Sequence, residues 1–124
     1  MSNTDASEKD RVIRIINEYE RFVSTQVLNE FCNVCIRKLK LPVASVHDAI
    51  AEIKNTCNLI LVDDATVITA LEQHEKYGYS YYDSLMLASA LEGKCQYLLS
   101  EYMADGQKVE GNLTIKNIFS DNEP

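Results

Sequence analysis

Leu59-Ile60-Leu61-Val62-Asp63-Asp64 decides the reading of the fold, because four consecutive apolar residues are followed at once by two residues that cap helices well. An unbroken apolar run suits a parallel strand covered on both faces, and either Asp63 or Asp64 then caps a helix through about Lys76. Tyr77-Gly78-Tyr79 breaks that helix. Downstream, Ser80 opens a further helix through Leu91, with Gly93 in the usual place of a C-terminal glycine. Tyr97-Leu98-Leu99-Ser100 is the next apolar strand and Leu113-Thr114-Ile115 the last. Between them lie turns at Asp105-Gly106 and Glu110-Gly111-Asn112, and a polar tail covers 120–124.

The same alternation holds upstream. Ser45-Val46-His47-Asp48 fits a capping box and predicts a helix through about Asn55, with Val46, Ala49, Ile50 and Ile53 inward. Before it, Thr25 caps a helix that carries Val27, Leu28, Phe31, Val34, Cys35 and Leu39 on one face and ends before Pro42. Phe22-Val23-Ser24 is a short β-prone stretch, and Ser7-Glu8-Lys9-Asp10 opens a first helix over about 7–19. Short apolar strands alternating with helices predict an α/β fold, a three-layer sandwich with a mainly parallel sheet flanked by helices. The 124 residues make a single domain of ordinary size.

Apolar residues make up 46% and charged residues 25% of the chain, the balance of a soluble globular protein. No stretch approaches the roughly 20 apolar residues of a spanning helix, and Met1 leads into polar residues, so a cytoplasmic location is expected. The net charge of −7 repels polyanions and argues against a passive nucleic-acid coat. It leaves room for a nuclease, because carboxylates with a bound divalent ion reverse the local field. Cys32 and Cys35 form a C-x-x-C within helical pattern, without a second pair and without zinc-finger spacing from His47 or His74. They and Cys57 and Cys95 read as small core or boundary residues with reduced thiols.

The acids carry the chemistry. A step of about 100° per residue puts Asp83 on the face of Met86, Leu87, Ala90 and Leu91, which must pack inward. Ser80-Tyr81-Tyr82-Asp83 also fits a capping box, so Asp83 has both a capping and a functional reading. Glu30 flanks the apolar stripe of its helix and is either solvated or turned toward the same end of the sheet. Glu101 and Asp105 follow the strand ending at Ser100, at the edge where open α/β sheets bind ligands, although Asp105-Gly106 is also an ordinary turn dipeptide. Hard carboxylate oxygens converging there suit Mg²⁺ or Mn²⁺.

Three ordered segments carry a resemblance: Ser24-Thr25-Gln26-Val27-Leu28-Asn29-Glu30-Phe31, then Ser80 to Ala90, then Leu98-Leu99-Ser100-Glu101 with Asp105-Gly106-Gln107 and Ile115-Lys116-Asn117-Ile118-Phe119. Together they resemble PIN domains of the VapC toxin type along nearly the entire chain. The resemblance implies an α/β sandwich whose acids bind Mg²⁺ or Mn²⁺ and cut RNA by metal-activated water, often as a toxin neutralised by an antitoxin protein. Glu30 matches the family's acid in the second helix and Asp83 its central acid.

Two departures qualify that implication. The family begins with a strand ending in an aspartate and a Thr-Asn pair, whereas this sequence begins after that strand. Tyr102 stands where the family tends to have an acid, so Glu101 or Asp105 would take its place in a rearranged loop. The expectation is an endoribonuclease with an incomplete acidic site of Glu30, Asp83, Glu101 and Asp105, weak or inactive as it stands. The alternative is a non-catalytic PIN domain that binds protein or RNA. The family's first strand lies mid-sheet, so its loss predicts that the strands near Val23 and Leu98 either pair directly or are completed by a strand or edge of another chain, with direct pairing and a homodimer through exposed apolar surface favoured.

Overall fold

The computed structural model describes residues 20–100 and 103–117. In chain order it forms strand β1 (Phe22–Ser24), helices α1 (Thr25–Arg37) and α2 (Val43–Thr56), strand β2 (Asn58–Ile60), and helices α3 (Asp64–Tyr77) and α4 (Tyr81–Glu92). Strands β3 (Tyr97–Leu99), β4 (Lys108–Val109) and β5 (Leu113–Lys116) follow. The expected helix over 7–19, the positions of Glu101 and Tyr102, Ile118-Phe119 and the tail over 120–124 lie outside the described residues. Helices joined to short parallel ladders make this an α/β fold.

The described residues divide into two compact units, one of residues 21–89 and one of residue 20 with 90–100 and 103–117. In the first, β1 and β2 run parallel with Phe22 opposite Asn58, Val23 opposite Leu59 and Ser24 opposite Ile60. The cap of α1 is Ser24, one residue earlier than expected: its hydroxyl accepts the Val27 N–H at 3.3 Å. Thr25 instead accepts the Val62 N–H on its Oγ1 at 3.0 Å, knitting the ends of the two strands together. Helix α2 begins at Val43 behind Pro42, two residues before the predicted Ser45 cap, and no side chain caps it. Proline's fixed φ suits this position, and the Pro42 carbonyl accepts the Ser45 and Val46 N–H groups at 3.0 and 3.2 Å.

Asp63, the first of the two candidate caps, starts α3. Its carboxylate accepts the Thr66 N–H at 3.1 Å while the Thr66 hydroxyl accepts the Asp63 N–H at 3.1 Å. Helix α3 ends on Gly78 at φ 78°, a left-handed conformation that glycine adopts without a Cβ clash. Ala70, Leu85 and Ala88 form the core of this unit, with Val62 and Tyr81 packed against them. Leu59 and Leu61 are exposed, so the apolar run is not covered on both faces as expected. Its ladder is only three residues long and has β1 as its partner.

In the second unit β5 is central: β3 pairs with it in parallel and β4 in antiparallel. Strand β4 falls inside the stretch expected to be turns alone. Val109, Leu113 and Ile115 are fully buried and supply the unit's apolar interior. Among the described residues β1 has β2 as its ladder partner and β3 has β5. Helix α4 closes in a Schellman pattern, the Cys95 N–H on the Ala90 carbonyl at 3.0 Å and the Lys94 N–H on the Leu91 carbonyl at 3.1 Å. The left-handed residue there is Lys94 at φ 55°, not Gly93.

Candidate functional site

Glu30 lies on α1 and Asp83 on α4, two helices of the first unit. Helix α1 leaves the carboxyl end of β1 directly, so Gln26 falls in its first turn and Glu30 one turn later. Residues four apart share a helix face, and the Gln26 amide donates from Nε2 to Glu30 Oε1 at 3.2 Å. The same Nε2 lies 3.4 Å from the Tyr82 carbonyl oxygen. That carbonyl belongs to the peptide bond joining Tyr82 to Asp83. One side-chain amide therefore links the acid of α1 to the backbone that carries the acid of α4.

Ser80 starts α4: its Oγ accepts the Asp83 N–H at 3.2 Å. A full capping box would have the Asp83 carboxylate accept the Ser80 N–H in return. Among the described residues no hydrogen bond or ion pair reaches that carboxylate, so the helix start is secured by Ser80 alone. Asp83 is half-buried, Glu30 is exposed, and Ser84, Leu87 and Ala88 behind Asp83 are fully buried. Asp83 thus sits on a packed helix with its carboxylate not engaged in the cap.

Asp105 belongs to the other unit and is engaged there. It accepts the Asn117 N–H on Oδ1 at 2.9 Å and pairs with the Lys116 ammonium at 3.7 Å. Glu101 lies outside the described residues. Among the described residues no group of three or more His, Cys, Asp or Glu side chains is arranged to hold a metal ion. Glu30 and Asp83 nevertheless offer hard carboxylate oxygens of the kind Mg²⁺ and Mn²⁺ take, one oxygen of Glu30 being used by Gln26. All four cysteines are free thiols, with Cys35 buried and the other three half-buried. No helix among the described residues is long and apolar enough to cross a membrane.

Gln26 was not among the residues that sequence reasoning singled out for the site. As an uncharged residue at a helix start it gives no local sign of meeting another helix, and the available signal is its i, i+4 spacing from Glu30. A comparison with curated proteins finds no match. A family model of the PIN domain matches residues 4–101, well over half of the chain and inclusive of both Glu30 and Asp83. The protein therefore belongs to the PIN domain family, whose nuclease-like, nucleic-acid-associated members generally use divalent metal ions.

Proposed function

We propose that this chain is a metal-dependent endoribonuclease of the toxin–antitoxin type whose acidic site is incomplete and whose activity is correspondingly weak. The observation that carries the reading is the bridge from Glu30 through Gln26 to the Tyr82 carbonyl, next to an Asp83 carboxylate that accepts no hydrogen bond among the described residues. Glu30 and Asp83 are the residues that would hold Mg²⁺ or Mn²⁺. Such an ion, when bound, supplies an activated water and neutralises charge on the phosphodiester. The chain's own part is to fix the two carboxylates: Ser80 anchors the first turn of α4, and Gln26 restrains the otherwise exposed Glu30. With a net charge of −7, the approach of RNA depends on reversal of the local field at these acids.

Asp105 and Glu101 are the further acids proposed for this site by resemblance; Asp105 also accepts the Asn117 N–H and pairs with Lys116. RNA is the proposed substrate, an antitoxin protein and a second copy of the chain the proposed partners, and the cytoplasm the proposed location. The dimer reading is supported by α3, which buries Thr66, Ala70 and Gln73 while exposing Val67, Ile68 and Leu71. Large apolar side chains on the outer face of a helix suit an interface.

Incubation of the full chain with single-stranded RNA and Mn²⁺ tests the activity. Slow cleavage abolished by Asp83→Asn is expected, whereas cleavage unaffected by Asp83→Asn removes the assignment. A second reading, a non-catalytic PIN domain that binds RNA or protein, is favoured by the lack of a three-acid group among the described residues. RNA binding without cleavage at any Mn²⁺ concentration is its signature.

A further inference from the structure

We propose that Gln26 is a positioning residue that sets the orientation of Glu30, an inference that rests on the reading of Glu30 and Asp83 as the metal-holding pair. A carboxylate and a peptide carbonyl can only accept hydrogen bonds, so a single atom that serves both must bring two hydrogens. The Nε2 of Gln26 does so, 3.2 Å from Glu30 Oε1 and 3.4 Å from the Tyr82 carbonyl oxygen. A hydroxyl has one hydrogen, and a glutamate of the same shape would set a carboxylate against both acceptors. Gln26 itself is 9% exposed while Glu30 is exposed, so an interior amide contacts a surface acid.

The other half of the amide argues against a purely structural role. Gln26 Oε1 is buried and has no hydrogen-bond partner among the described residues. A buried acceptor without a donor destabilises the fold, and an apolar side chain of similar length would avoid that penalty. The side chain is thus poor for stability and well made for holding Glu30 against the start of α4. Hydrogen bonds of this kind to a metal-holding group orient it and tune its affinity.

Two measurements on the full chain test the proposal. Mn²⁺ titrations followed by electron paramagnetic resonance compare wild type, Gln26→Met, Glu30→Gln and the double variant. Gln26→Met is expected to weaken Mn²⁺ binding about tenfold without lowering the thermal midpoint, and to add nothing once Glu30→Gln is present. Glu30→Gln weakening binding while Gln26→Met leaves it unchanged overturns the proposal, as does an equal Gln26→Met effect in both backgrounds. Mn²⁺ binding insensitive to Glu30→Gln instead overturns the metal-site reading on which it rests. Independently of metal, the Gln26 side-chain amide signals in the wild-type protein are expected to be protected from exchange and to shift in Glu30→Gln. Exchange as fast as that of free glutamine would show that the contact is not made and sink the proposal.

Discussion

The Lys116 ammonium sits 3.7 Å from the Asp105 carboxylate, which also accepts the Asn117 N–H at 2.9 Å. One acid therefore ties the turn after β3 to the end of β5. The Lys116 side chain is only 11% exposed, so its ammonium has little access to solvent. Asp105→Ala is expected to destabilise the fold by about 1–3 kcal/mol in denaturant titrations, because it strands a buried cation and a backbone donor. An effect no larger than that of a typical surface substitution would mean that the ion pair is not maintained in solution.

Lys94 holds the left-handed position at the end of α4 with a Cβ that this conformation disfavours. Lys94→Gly is expected to raise stability by about 1 kcal/mol, and Gly78→Ala at the end of α3 to lower it by a similar amount. Thermal melts of the two variants should move in opposite directions. A destabilised Lys94→Gly would contradict the assigned closure of α4.

The Thr66 N–H, with its hydroxyl second, holds the Asp63 carboxyl below the usual carboxylate range, only weakly opposed by desolvation. Because the folded protein favours the charged form, this contribution is present above the unfolded value. It is lost as the pH falls below the ordinary carboxylate range, through the folded value. The stability difference between wild type and Asp63→Asn should therefore be constant from neutral pH to about 5 and change below about 4. A difference that is flat down to pH 2 would show that the capping carboxylate is not charged-state selective.

How far these features were legible in the sequence follows from how local they are. Phe22-Val23-Ser24 and Tyr97 to Leu99 were readable as strands, and the Asp63 cap and Gly78 stop as helix ends, because each is set by its own residues. Leu59 to Val62 was readable as a strand but not as an exposed one, since exposure depends on which strands lie beside it. Lys108-Val109 escaped notice because two residues between turns form a strand only when β5 offers a partner. Glu30 and Asp83 stood out as acids on or beside apolar stripes, whereas the contact of Gln26 with the Tyr82 carbonyl depends on where α4 meets α1.

Val67, Ile68 and Leu71 on α3 are exposed by 39%, 58% and 54%. If this face forms the proposed dimer, Ile68→Lys with Leu71→Lys should give a monomer in sedimentation velocity while the wild type sediments as a dimer. Exposed positions away from packing contribute little to stability, so the thermal midpoint of the monomer unit should change little. A wild type that remains monomeric at high concentration would rule this interface out.

The acidic pair itself is tested most directly by anomalous scattering from crystals soaked in Mn²⁺. The expected result is a peak within direct coordination distance of carboxylate oxygens of both Glu30 and Asp83, lost in crystals of Asp83→Asn. Ordered Glu30 and Asp83 side chains with no manganese between them, under conditions that saturate binding in solution, would contradict the metal site.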